Sequence, residues 1–166
     1  DAGACAITHL GNGLPNQLAR HPNPLWDGLA EDRLAAMLIA DGHHLPVSVL
    51  KVALRAKGLA RTIAVSDASP IAGLPPGDYE TLGNRVVLEA TGKLWNPEKG
   101  CLVGSSATML DCMNHLLRLG LVAPDEAVRI GLDNPLALLG RDAAELPGPA
   151  RVGLSPQEGF YVQETP

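Results

Sequence analysis

The chain lacks any run of lysine or arginine: 13 basic side chains are scattered among 18 acidic ones, for a net charge of −5. Nucleic-acid-binding domains concentrate positive charge into a patch or stripe, so DNA and RNA are not expected as partners. No apolar stretch approaches the roughly 20 residues that cross a bilayer. The longest covers residues 34–40, and Asp1 does not open a signal peptide, so no membrane role is expected. Cysteine is scarce, with Cys5, Cys101 and Cys112 making an odd, scattered set without paired or metal-type spacing. Such usage points to a reducing, cytoplasmic setting, and all three are expected to be buried apolar side chains. No glycine-rich phosphate fingerprint follows a strand, which argues against a doubly wound nucleotide binder. An initiator methionine is also missing, and a chain that moves from Asp1 straight into a strand-like run reads as part of something longer.

What is present suits a globular domain, since 46% of residues are hydrophobic and 19% charged. Ala4-Cys5-Ala6-Ile7-Thr8-His9, residues 34–40 and Thr62-Ile63-Ala64-Val65 are short, nearly unbroken apolar runs. They have the appearance of strands buried on both faces. Between the second and third, a helix is expected with Pro46 at its first position, Gly58 closing it, and Arg55 and Lys57 set against the dipole in its last turn. Strands separated by helices pair in parallel, so the fold class is α/β. Residues 75–104 break the rhythm with Gly77, Gly83, Gly92 and Gly100 and predict hairpins inserted on a rim. Met109, Cys112, Met113, Leu116 and Leu117 then trace one buried helix face, with Ser105 or Ser106 available as cap. Further helices are predicted behind Pro124 and from Asn134-Pro135 to Gly140. Residues 141–166 are expected to be a linker or the start of a small β domain.

Polar residues cluster where these strands end. His9 and Asp67 terminate the first and third runs, and His44 follows the second. Parallel strands bring such ends to one rim, the place where α/β folds assemble active sites. A histidine there can ligate a divalent metal, and an aspartate nearby can accept a proton from water that the metal acidifies. Plainer alternatives exist for each residue. His9 could be a core histidine bonded to backbone, Asp67 a turn former before Ala68-Ser69-Pro70, and His44, like His43, a loop residue without a role.

Five segments stand in order: Thr8-His9-Leu10-Gly11-Asn12-Gly13, Ile39-Ala40-Asp41-Gly42-His43-His44, Ser66-Asp67-Ala68, Leu102-Val103-Gly104-Ser105-Ser106-Ala107-Thr108-Met109, and Asn134-Pro135. Together they resemble the N-acetylglucosamine-6-phosphate deacetylase family of the amidohydrolase superfamily, over about residues 2–140. The resemblance implies the C-terminal part of a (β/α)8 TIM barrel, with about three barrel strands and terminal helices within residues 1–140. It assigns metal binding to His9 and general acid–base catalysis to Asp67. It assigns sugar-phosphate binding to Asn12, Gly13, Arg20 and His44, and the acyl pocket to Leu102 and Val103. The implied cofactor is a divalent metal, zinc or iron. The implied substrate is N-acetylglucosamine 6-phosphate or a related N-acyl amino sugar, and an Arg20 that reaches a neighbouring site implies a homodimer.

Departures from the family pattern reshape the phosphate loop: Gly11 precedes Asn12 where an aromatic is usual, Gly13-Leu14 replaces Ala-Met, and Asn23 replaces a glycine. His21 is an added basic group to which no function is assigned, and Trp26 and Trp95 are the aromatics available to stack on a sugar. The family's remaining ligands, a glutamate and a second histidine, have no counterpart here, whereas a catalytic zinc takes about three protein ligands. The isolated chain is therefore expected to be inactive and to depend on an N-terminal half of the barrel. The alternatives are an amidohydrolase for a different amide, or a non-catalytic barrel segment.

Overall fold

The computed structural model describes residues 2–146 and 151–163. At its centre lie three parallel strands, β1 (Ala6–Ile7), β2 (Ala35–Ile39) and β3 (Thr62–Val65), in the order β1-β2-β3. They are apolar on both faces: Ala36, Leu38 and Ala64 pack with the crossover helices in the main core, and Ala35, Ile39 and Ile63 are buried on the other face. β1 is shorter than its apolar run. Among the described residues it has a partner on one side only, and its backbone leaves the extended region at His9, where φ is 35°. Hydrogen bonds from Ala35 N to Cys5 O and from Leu10 N to Met37 O, at 2.9 and 2.8 Å, still bracket it against β2.

The first crossover contains α1 (Pro24–Ala30), capped by Asn23, whose Oδ1 accepts from Leu25 N and Trp26 N. An asparagine at this position thus has a local physical cause, since it satisfies amides that the first helical turn leaves without partners. The second crossover is α2 (Val47–Lys57). Pro46 lies one residue ahead of its first turn, as the cap, and Gly58 ends it with φ 64°. Leu50 and Ala53, exposed by no more than 1%, face the sheet. Lys57 does more than complement the dipole: it is buried, and its Nζ donates to Gly28 O and Glu31 O at the end of α1.

Strands β4 (Gly77–Thr81), β5 (Asn84–Leu88), β6 (Leu94–Asn96) and β7 (Cys101–Leu102) form an antiparallel meander with its own core of Ile71, Val86, Leu88 and Leu94. α3 (Met109–Arg118) buries Cys112, Met113 and Leu116 as its periodicity requires. Its cap is Thr108 and not Ser105 or Ser106, because Thr108 exchanges hydrogen bonds reciprocally with Asp111. Cys112 is buried, and burial pushes its thiol up to about 12. Cys5 and Cys101 are exposed, contrary to expectation, because one lies just ahead of the edge strand and the other in the short outer strand of the meander.

The helix predicted from Asn134-Pro135 is present, joined without a break to the one before it. α4 (Pro124–Val128) continues through a π-helical turn, Arg129–Asp133, into α5 (Asn134–Leu138), and Asp133 and Asn134 both keep helical φ. The wide turn accommodates Pro135, whose ring would clash with the carbonyl four residues back in a regular helix. Asn134 tethers the helix to the base of β3, its Nδ2 donating to Leu59 O and Thr62 O at 2.7 Å each. The tail ends in a hairpin of β8 (Arg151–Ser155) and β9 (Gly159–Gln163). Phe160 enters the main core, and Asn114 bonds both its N–H and its carbonyl. Among the described residues, no helix is long and apolar enough to cross a membrane.

Asn134→Ala leaves two backbone carbonyls without their donor, and should cost about 1–3 kcal/mol. The check is the urea midpoint at unchanged m value; an unaltered midpoint would refute the tether.

Candidate active site

His9 follows β1, the loop 41–45 follows β2, and Asp67 follows β3. Since β1 and β3 flank β2 in a parallel sheet, His9 and Asp67 end two strands that lie about 10 Å apart, twice the inter-strand spacing, on a shared rim. Both leave their strands in the same unusual way. Only three described residues other than glycine have positive φ, and His9 at 35° and Asp67 at 51° are two of them. Such backbone is costly for a residue with a Cβ, by about 1–3 kcal/mol, and persists where neighbouring structure enforces it.

The His9 ring is half-buried, and its Nδ1 is buried without a hydrogen-bond partner among the described residues. A core histidine satisfied by backbone would not look like this. The ring lies against Gly13, where a Cβ would come within 3.4 Å of Cε1, and Gly13 holds φ 69°. Asn12 N donates to His9 O at 2.9 Å, and Asn12 Nδ2 is likewise buried and unpaired among the described residues. The loop thus gathers His9, Asn12 and Gly13 at one point. Arg20 and His21 lie further along it, exposed.

His44 is held differently. Asp41 Oδ1 accepts from His43 N and His44 N, both at 2.9 Å, and Asp41 Oδ2 lies 2.7 Å from His44 Nδ1. Their side chains are only 2% and 6% exposed. Burial alone would raise the Asp41 carboxyl, but the hydrogen bonds from His44 and from the two amides prevail and hold it well below the ordinary carboxylate range. Sequence inspection passed over Asp41, although an Asp bonding the amides two and three residues ahead is a common turn former. Beside this turn sits His115, whose pKa is lowered by burial and then by Arg118.

Asp67 is exposed, yet its backbone is clamped. Its carbonyl accepts from Ser105 N at 2.8 Å, Ser69 N donates to Ser105 O at 2.8 Å, and Ala68 and Ser105 form a parallel bridge. Gly104 is required here, because a Cβ would come within 3.0 Å of Asp67 O. Leu102 and Val103 precede this junction, both half-buried, and Val103 packs against the meander's own core. The meander is fastened further by Ser106 Oγ donating to Gly92 O at 2.6 Å and by His43 Nε2 donating to Thr91 O at 3.1 Å. His43, expected to be idle, is therefore a clamp. Trp95 sits in the meander with Lys93 Nζ 4.9 Å from its ring centroid, whereas Trp26 lines an apolar cavity of about 160 Å3 between α1 and α2.

One imidazole with an open, buried nitrogen suits a metal, but it is not a full donor set. Among the described residues, no group of three or more His, Cys, Asp and Glu is placed to hold one. His9, the polar loop that follows it and Asp67 all lie after strands that end on one rim.

No protein-family model matches the chain. It is 30% identical over 168 aligned residues to the N-acetylgalactosamine-6-phosphate deacetylase of Escherichia coli O157:H7, covering 99% of this chain and 44% of that protein. A protein of Escherichia coli K12, provisionally named for the same activity, is 29% identical over 160 residues, covering 94% of this chain and 93% of that protein. Among solved structures, the N-acetyl-D-glucosamine-6-phosphate deacetylase of Mycobacterium smegmatis superposes with a TM-score of 0.81 at 27% identity, over 97% of this chain and 44% of that one. By sequence and by its α/β fold, the chain is a homologue of the amino-sugar-6-phosphate deacetylases, and it spans less than half the length of the Escherichia coli O157:H7 and Mycobacterium smegmatis enzymes.

Proposed function

We propose that this chain supplies one part of the active site of a metal-dependent deacetylase that removes the N-acetyl group from an amino-sugar 6-phosphate. The observation that carries the reading is the pair His9 and Asp67, which end parallel strands in enforced left-handed backbone, the first with a buried, unpartnered nitrogen. Residues 1–140 would form the C-terminal part of a (β/α)8 barrel, residues 141–166 would begin a small β domain, and an N-terminal half would complete the barrel and the donor set. The enzyme would act in the cytoplasm as a homodimer.

His9 would provide one ligand to a divalent cation, zinc or iron, which when bound supplies the acidity that makes water a nucleophile near neutral pH. Asp67, with its side chain free at the rim, takes a proton from the attacking water. As the amide C–N bond breaks, Asp67 returns that proton to the nitrogen, releasing acetate and the free amine. Leu102 and Val103 line the space for the acetyl methyl group. Asn12, the amide of Gly13 and His44 would bind the sugar phosphate. Arg20 adds a charge-assisted fork and, being exposed on its loop, is able to serve the neighbouring subunit's site. The sugar is glucosamine or galactosamine, both of which occur in the names of homologues.

A second reading, a non-catalytic barrel segment, has one observation in its favour: the Escherichia coli K12 homologue is nearly coextensive with this chain, which covers 93% of it. Metal content and turnover separate the two.

In the full-length protein, Asp67→Asn should lower kcat about 100-fold or more at unchanged metal content, whereas His9→Asn should lower metal content itself. Turnover unaffected by Asp67→Asn sinks the assignment. Arg20→Ala should raise KM about tenfold or more for the phosphorylated substrate and leave the unphosphorylated sugar unaffected; an equal effect on both would remove Arg20 from phosphate binding. The isolated chain should neither retain stoichiometric metal on purification nor hydrolyse N-acetylglucosamine 6-phosphate. Both outcomes are read by elemental analysis and by release of acetate.

A further inference from the structure

Asp41 is the most deeply buried carboxylate at the rim, and nothing in the mechanism above uses it. A carboxylate is more than its turn requires. Two backbone amides, those of His43 and His44, bond to Oδ1, and an asparagine or serine could accept from them equally well. The second oxygen is committed to His44 Nδ1 at 2.7 Å, in surroundings that leave the two side chains 2% and 6% exposed. Burying a charge is costly unless it is paired and bonded, so retaining it for a turn alone would be poor economy. The groups packed around it are His43 and His44 from its own loop, and Cys112 and His115 from α3. His115 lies so close to Gly42 that a Cβ there would come within 3.1 Å of Cε1, so the loop packs directly against the helix.

We infer that Asp41 is the positioning residue for His44: it fixes the imidazole with its proton on Nδ1 and presents Nε2 to the substrate. This rests on the reading that His44 contacts the sugar phosphate. A carboxylate can only accept, so the nitrogen facing Oδ2 must carry hydrogen whether the ring is neutral or charged. Nε2 makes no hydrogen bond among the described residues and is the nitrogen left for a ligand. An asparagine at position 41 cannot reproduce this. Its single oxygen would stay with the two amides, and its NH2 would then face Nδ1, forcing that nitrogen to accept and moving the proton to Nε2.

The test uses the full-length protein labelled with 15N-histidine. Long-range 1H–15N spectra should show His44 protonated at Nδ1 in the wild type and at Nε2 in Asp41→Asn. A wild-type His44 found as the Nε2-protonated tautomer overturns the proposal without any variant being needed. For N-acetylglucosamine 6-phosphate, Asp41→Asn should raise KM about tenfold or more while changing kcat less, in the range typical of outer residues that orient a functional histidine. Asp41→Asn added to His44→Gln should cause no further loss, whereas independent, multiplying losses would show that Asp41 acts other than through His44. If His44→Gln alone leaves KM unchanged while the Nδ1 proton is seen, it is the sugar-phosphate role of His44 that fails, and Asp41 merely holds a turn.

Discussion

The hydrogen-bond ladder between β2 and β3 runs from the pair Ala36–Thr62 to the pair Ile39–Val65, and β1 joins the other side of β2 with Ala6 opposite Ala35. Because the three strands are parallel and in fixed register, whatever follows each of them emerges on the same rim. This constraint places His9, the Asp41 loop and Asp67 together although 58 positions separate the first from the last (67 − 9). Burial keeps the register from slipping. Leu38 and Ala64 face the helices, and a shift by one residue would turn them to the opposite face.

A strand that simply continued would carry its side chains past the rim. At His9 and Asp67 the chain turns instead into left-handed backbone, and in both places neighbouring atoms account for the cost. Around His9 the surrounding loop is tight, with Asn12 N closing onto His9 O and Gly13 against the ring. At Asp67 the carbonyl is fixed by Ser105 N, with Gly104 small enough to permit the approach. The antiparallel meander thus has a purpose beyond decoration of the rim. Its last strand leads into Gly104 and Ser105, the residues that hold Asp67 in place. His43 and Ser106 fasten its far turn over the same rim.

Much of this was legible in the sequence, and the remainder was not for identifiable reasons. Apolar runs and glycines located the three strands, α2 and the meander, since these signals are local and periodic. The histidine and aspartate at strand ends were visible because parallel pairing makes strand ends meet. The helix start at Asn134 was legible, but its tethering role was not, because its partners, Leu59 O and Thr62 O, are more than 70 positions away and no local pattern points to them. Asn23 looked like a departure from a glycine, but its value is as a cap for α1. Cys5 and Cys101 were expected in the core from residue type alone, whereas their places at the margins of the two sheets decided otherwise. The homologues bear on the family, and how each side chain is held is read from the structure itself.

Two carboxylates stand at this rim, and their environments divide the work between them. Asp41 is enclosed, accepts three hydrogen bonds and is held ionised by them well below the usual range, so taking up a proton would break a network that the loop depends on. A group that resists protonation so strongly is a poor proton carrier near neutral pH, whatever its distance from the reacting atoms. Asp67 has the opposite situation. Its main chain is immobilised, its side chain is exposed, and no described residue neutralises it through an ion pair. Fixed backbone with an uncommitted carboxylate is what a residue needs if it must gain and lose a proton in every turnover, and a committed carboxylate is what an orienting residue needs. How each is bonded is the observation that supports the proposed division, Asp67 for chemistry and Asp41 for geometry.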